Sequence, residues 1–217
     1  MNDQIKYIVD NIKTSKRELI FQILIVFILP VLFIDLGIIS PSQRVYLLVI
    51  LVSLLMVVLT AEKWTFLMLG ISKYRIKKYI IPYTIFTLVA IVLVSFFGEK
   101  IGQEEVSRWW THSHFIYGFF IVSLFQEVGY RGYLIPALSK LIPKPWIVVT
   151  INALIFMFLH SIFPNTIIGL PLAFIGGLGF AIMYMKYPSL ILIILSHSLI
   201  NFFVVLYGFF VIPGVTY

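Results

Sequence analysis

Glu127 and Arg131 stand four residues apart in the stretch Phe125-Gln126-Glu127-Val128-Gly129-Tyr130-Arg131-Gly132, inside an apolar run that reaches from Phe115 to about Leu138. On a helix this spacing puts carboxylate and guanidinium on one face, within reach of an ion pair. An ionisable residue at that depth costs at least about 2.5–3.5 kcal/mol on insertion scales, so it needs a partner and generally has a task. Asn152, Phe156 and His160 repeat at spacing four on a second run, and His197 and Asn201 at spacing four on a third. Taken singly, the ion pair reads as a structural lock and each histidine as a packing residue. Taken together they are natural partners, since few other strongly polar side chains lie in these runs. Two hydrolytic chemistries fit the set. In one, a carboxylate activates water, a histidine orients it, and His197 or Asn201 stabilises an oxyanion. In the other, His160, His197 and the Glu127 carboxylate hold zinc with one position open for water. Spacing does not choose between them. Gln126 points about 100° away from Glu127 and is close in register with Tyr130, which is placed to hydrogen-bond to it.

The elements that must position these residues are membrane helices. The chain is 61% hydrophobic and 12% charged, where a soluble domain of this length carries roughly 25% charge. Apolar runs fall at about 19–39, 45–61, 79–98, 115–138, 146–163, 166–186 and 189–212. They are continuous rather than alternating, which excludes an outer-membrane-type barrel. The expected fold is all-α, a polytopic transmembrane helical bundle of seven spans, or eight if a short re-entrant segment is added. The sixth run is rich in small residues, Gly169, Ala173, Gly176, Gly177, Gly179 and Ala181. Such residues let neighbouring helices approach closely.

The net charge of +7 does not indicate nucleic acid, because the basic residues fall in short segments between the apolar runs. With the N-terminus inside, Lys6, Lys13, Lys16, Arg17, Lys63, Lys73, Arg75, Lys77, Lys78, Lys140, Lys144 and Lys186 all lie on the inner side. Only Arg44, Lys100 and Arg108 lie outside, which favours a cytoplasmic N-terminus. Residues 1–18 read as a basic cytoplasmic segment with no cleavable leader. Residues 19–98 hold the first three spans. Within them, Trp64 to Lys78 mixes apolar and basic residues like a helix lying on the inner surface. Residues 99–114 form an outer loop with Trp109 and Trp110 at headgroup level, and 115–217 carry the polar motifs. The chain has no cysteine, hence no thiolate nucleophile and no disulfide.

In order along the chain, Gln126-Glu127-x-x-x-Arg131, Phe156-x-x-x-His160 and His197-x-x-x-Asn201 resemble the CPBP family, the CAAX-processing and bacteriocin-processing intramembrane proteases also called the Abi family. The family pattern is Glu-Glu-x-x-x-Arg, Phe-x-x-x-His and His-x-x-x-Asn or Asp. The resemblance covers roughly Phe115 to Phe203. It implies an endopeptidase in a bacterial cytoplasmic membrane, acting on a peptide or protein that is in some members lipidated. By position it gives Glu127 and Arg131 the second glutamate and the arginine of the motif. His160 takes the place of the histidine that helps activate water, and His197 with Asn201 that of the oxyanion or metal-supporting pair. Zinc and a metal-free glutamate–histidine mechanism are both open.

The first motif glutamate, the general base of the family pattern, is here Gln126, and an amide does not accept a proton at neutral pH. Three explanations stand. Glu127 takes over as base, or an engineered glutamine has replaced the glutamate, or the chain is a natural non-catalytic relative acting as a binding or immunity protein. Depth gives a check. Glu127 lies about 12 residues, roughly 18 Å, from the outer end of its span, and His197 about 8 residues, roughly 12 Å, from the inner end of its own. Those depths agree within a hydrocarbon core about 30 Å thick. His160 falls nearer the outer end of the fifth span, so a shifted boundary or a tilt must bring it inward.

Overall fold

The computed structural model describes residues 2–40, 44–103, 105–106, 109–111, 120–163 and 166–210, with the backbone alone for 44–48 and 109. Residues 104, 108 and 112–119 lie outside this set, and so do 211 and 212. The outer-loop residues Glu104, Arg108 and His114, the first residues of the fourth expected span and the last of the seventh are therefore not placed. Eight helices and no strand occur among the described residues. They are α1 (Asp3–Asn11), α2 (Lys16–Asp35), α3 (Arg44–Ala61), α4 (Lys73–Lys100), α5 (122–141), α6 (Pro145–Ile162), α7 (Thr166–Lys186) and α8 (Leu190–Leu206).

Helices α2 to α8 fall on the seven expected runs, and the fold is a helical membrane bundle. By length and composition α2, α4, α6 and α7 are long and apolar enough to cross a bilayer, while Val49–Ala61 and Leu190–Leu206 are shorter apolar helices. Large apolar side chains such as Phe21, Val57, Val92 and Ile175 are exposed. That is the arrangement a lipid environment calls for. Helix α5 is different. Every residue from 129 to 139 is buried, so α5 runs through the middle of the bundle with other helices between it and lipid. This central position is what lets it carry Gln126, Glu127 and Arg131.

Two helices widen locally to π turns, α2 at Leu24–Ile28 and α5 at Val128–Leu134. Each π stretch ends two residues before a proline, Pro30 and Pro136. Proline has no N–H to give the carbonyl four residues back and its ring crowds that carbonyl, so a wider turn relieves both problems. The α2 N-terminus is fixed by a capping box in which Ser15 and Glu18 satisfy each other's backbone N–H groups.

Two local expectations change. Trp64 to Lys78 is not one surface helix. Residues 66–70 are turns and the helix begins at Lys73. Gly70 has φ +82, and a Cβ there would stand 2.9 Å from the Tyr184 hydroxyl and 3.1 Å from the Leu190 nitrogen. The backbone must press this closely because the Leu190 N–H donates to the Gly70 carbonyl. The N-terminal segment, for its part, contains a helix. Ile5, Ile8 and Ile12 make a buried stripe that packs α1 against the end of α5, where Lys140 Nζ donates to the Ile12 carbonyl.

Candidate active site

Glu127 is the last residue of the α-helical part of α5, and Arg131 lies in the π stretch that follows. Arg131 Nη1 donates to Glu127 Oε1 over 2.9 Å, and both side chains are 0% exposed. From α8, His197 Nδ1 donates to the same oxygen at 2.6 Å, across 70 residues of sequence. Arg131 Nη2 turns to α7 and donates to the Gly177 carbonyl at 3.3 Å. The sequence explains why that carbonyl is within reach. A Cβ on Gly177 would meet Phe156 Cδ1 at 3.1 Å and Ala153 Cα at 3.2 Å, so only glycine lets α6 and α7 close here. The small-residue run of α7 thus serves close packing at Gly177, and it also presents a backbone acceptor to the ion pair.

Aromatic rings wall the network. The Arg131 guanidinium carbon lies 4.7 Å from the Phe156 ring centre and 5.2 Å from that of Phe180. The His197 ring is 4.5 Å from Phe180 and 5.8 Å from Phe156. A cation between ring faces gains attraction when desolvated, and the water-poor surroundings strengthen the carboxylate–guanidinium attraction itself. The opposite charges of Glu127 and Arg131 cancel. Glu127 Oε2 is left without a partner among the described residues, as are Arg131 Nε and Asn152 Oδ1, all three buried.

His160 sits in the 3-10 turn His160–Ile162 that closes α6. Its Nδ1 lies 2.8 Å from the Phe156 carbonyl. A carbonyl only accepts, so Nδ1 carries the hydrogen and Nε2 keeps its lone pair. The His160 and Phe156 rings are 4.7 Å apart, and Phe156 in turn contacts His197. The single ring of Phe156 therefore links the histidine at the end of α6 to the charged network. No hydrogen bond joins His160 to Glu127 or His197 among the described residues.

Asn201, one turn beyond His197, donates from Nδ2 to Ser123 Oγ at 3.0 Å. Asn152 donates to the Tyr130 carbonyl at 2.8 Å, tying α6 to the π stretch of α5. The expected Gln126–Tyr130 contact does not form. The Tyr130 hydroxyl donates instead to the Ile155 carbonyl at 3.4 Å, and Gln126 faces an apolar cavity on another side of α5. The zinc set of Glu127, His160 and His197 is not assembled either. Glu127 Oε1 is taken by two hydrogen bonds, and no three His, Asp or Glu side chains converge on a metal position among the described residues. The donors do not fit the ion.

Three members of the site were not singled out as such from sequence: Ser123, the Gly177 carbonyl and Phe180. The signal for the last two was their spacing of three, which puts them on neighbouring positions of one α7 face.

An all-helical bundle with a buried carboxylate, guanidinium and imidazole on three helices defines a polytopic membrane protein built around an internal polar centre. Residues 108–203 match a protein-family description, Rce1-like, type II CAAX prenyl endopeptidase Rce1-like, a likeness that supports the CPBP/CAAX protease family for this segment. It contains every candidate site residue. No curated protein and no solved structure matches the chain.

Proposed function

We propose that the protein is a membrane-embedded endopeptidase that hydrolyses a peptide bond of a membrane-associated substrate, in the manner the CAAX endopeptidase description suggests. One observation carries the reading. The Glu127 carboxylate is held by Arg131 and His197 through one oxygen, while its other oxygen is buried and has no partner among the described residues. A bare charged oxygen in an apolar interior is costly and recruits water. A water held there has a carboxylate within one hydrogen bond, which is the arrangement general-base catalysis needs. Gln126 cannot take a proton, so the task falls to Glu127.

The other residues take complementary parts. His160, with Nδ1–H given to the Phe156 carbonyl, offers Nε2 to receive a proton and return it to the leaving amine. Asn201 spends one amide hydrogen on Ser123 and has a second for a developing oxyanion. Arg131 holds the carboxylate in place and balances its charge. The excess of lysine and arginine in the segments on the N-terminal side supports a cytoplasmic N-terminus. Peptides carrying a lipid near the C-terminus are the first substrates to try.

The test is a peptide-library cleavage assay in proteoliposomes, lipidated peptides included, with products read by mass spectrometry. Glu127→Gln and His160→Ala should each lower the cleavage rate by at least about 100-fold, the range for loss of an acid–base group. Unchanged cleavage in Glu127→Gln would remove Glu127 as the base. Cleavage that appears only in Gln126→Glu would show a hydrolase disabled at that position. Silence from every variant would turn the reading to a binding protein.

A further inference from the structure

Helix α4 is 28 residues long, about 42 Å, and the hydrocarbon core of a bilayer is about 30 Å thick. The apolar stretch from Tyr79 to Gly98 fills that core, so Lys73 to Lys78 stand among the lipid headgroups. Those residues include four cations, Lys73, Arg75, Lys77 and Lys78, and no acid. That is the wrong sign for the start of a helix, whose first N–H groups already carry partial positive charge. These N–H groups have no carbonyl to reach within the helix, and Ser72 at the N-cap gives them no side-chain bond.

Arg75 is where this charge is hardest to accommodate. Its side chain is 5% exposed, and Nη1 is buried without a hydrogen-bond partner among the described residues. One turn on, the Tyr79 ring lies 5.6 Å from that of Tyr187, and a turn further the Tyr83 hydroxyl donates to the Tyr187 carbonyl at 2.9 Å. The 75–79–83 side of α4 therefore faces the end of α7. There Lys186 Nζ lies 5.3 Å from the Tyr187 ring and Lys78 Nζ 5.3 Å from the Tyr79 ring, so two exposed ammonium groups flank the paired tyrosines beside the buried guanidinium. None of these cations has a carboxylate partner among the described residues, where the ion pairs are those of Glu127. A guanidinium is always charged and offers five donors, and a buried charge without a partner is costly. Its complement is an anion with several acceptor oxygens at headgroup depth, and a phosphate meets a guanidinium with two parallel bonds. One turn deeper than Lys77 and Lys78, Ile81, Ile85, Leu88 and Val92 repeat at helical spacing and are 58–68% exposed, an apolar stripe along which acyl chains can lie. We propose that the cleft between the start of α4 and the end of α7 binds the phosphodiester of an anionic phospholipid, with Arg75 gripping the phosphate and Lys78 and Lys186 drawing it in. Basic pockets between membrane helices suit such headgroups, and the stripe favours a lipid over free phosphate as the carrier of the anion.

The test uses the full chain, delipidated in a neutral detergent, with native mass spectrometry to measure bound lipid and thermal unfolding to follow stability. Phosphatidylglycerol, phosphatidylcholine of the same acyl chains and inorganic phosphate are titrated in turn. Phosphatidylglycerol should bind at least about tenfold more tightly than phosphatidylcholine, whose choline cation meets the same positive cluster. Arg75→Met should lose at least about tenfold in phosphatidylglycerol affinity, the factor for a hydrogen bond to a charged group. Lys78→Gln and Lys186→Gln should each lose about fivefold, whereas Lys16→Gln, exposed at the start of α2, should leave the affinity unchanged. Without lipid, Arg75→Met removes a stranded charge and should unfold at the same temperature as the unaltered protein or higher, and with phosphatidylglycerol the unaltered protein should overtake it. A guanidinium that merely packs would instead leave the variant weaker to the same degree with and without lipid, which would overturn the proposal. So would equal binding of the two lipids, or an Arg75→Met protein that keeps its phosphatidylglycerol affinity. Inorganic phosphate competing as well as the lipid would overturn the assignment of a lipid to the cleft. Should Arg75→Met fail to fold, the comparison of lipids and the lysine variants still decide.

Discussion

Arg131→Met removes a guanidinium and keeps an unbranched side chain of similar reach. The structure sets what is lost: the 2.9 Å bond to Glu127, the 3.3 Å bond to the Gly177 carbonyl, and the contacts with the Phe156 and Phe180 rings. It also leaves Glu127 charged and 0% exposed with His197 as its one remaining partner. Removing one partner of a buried ion pair costs about 3–5 kcal/mol, mostly for stranding the other charge. An ordinary neutral bond between membrane helices is worth only about 0.6 kcal/mol, so the two situations are well separated. Glu127→Leu should cost a similar 3–5 kcal/mol by stranding Arg131. The double variant strands no charge and leaves only neutral groups bare, His197 Nδ1–H and the Gly177 carbonyl; at about 0.6–1.7 kcal/mol for each bond lost between membrane helices this is about 1–3 kcal/mol in all. The single changes should therefore be strongly non-additive, with a coupling of at least about 3 kcal/mol. Reversible SDS titration in mixed micelles, followed by circular dichroism, measures all four proteins. A double variant whose cost is the sum of the singles would refute the buried charge pair as the centre of the site.

Gly177→Val should destabilise by about 1–3 kcal/mol in the same titration, because its Cβ would already stand 3.2 Å from backbone at Ala153. Gly176→Ala, whose new Cβ has its nearest neighbour at 3.9 Å, should be neutral or stabilising by up to about 1 kcal/mol. Equal effects at the two positions would contradict the close approach of α6 and α7. Ile8→Asp puts a charge into a fully buried position of α1 and should release that helix from α5. Trypsin would then cut at Lys6 and Lys13 many times faster than in the unaltered protein, and unchanged cutting would show that the stripe does not hold α1 down.

The bundle was legible because a bilayer imposes a length and a composition on whatever crosses it, and α2 to α8 meet both closely enough to be found by hydropathy. Helix α1 was not found that way. Nine residues are too few to be stable alone, and Ile5, Ile8 and the flanking Ile12 acquire meaning only once the end of α5 is there to cover them. The stretch from Trp64 to Lys78 looked helical because it mixes apolar residues with four basic ones, yet the docking of Gly70 on Leu190 overrides that pattern at 66–70. At the site, the Glu127–Arg131 contact could be read from spacing because it is local. The approach of His197 to the same oxygen depends on how α8 packs. The Arg131–Gly177 bond uses a backbone carbonyl, which no side-chain pattern announces. Tyr130 sits one turn after Gln126, but the π stretch and the Ile155 carbonyl take its hydroxyl elsewhere.

Because α1 leans on the end of α5, a segment made early is finished by one made much later. About 130 residues separate Ile12 from Leu141, roughly 6–26 s of synthesis at 5–20 residues per second. Through that interval the stripe of Ile5, Ile8 and Ile12 has no protein partner, and the bilayer surface is the apolar shelter at hand. Docking of α1 then reports that α5 has been threaded and packed, which makes the N-terminal helix a clock hand for the assembly of the whole bundle.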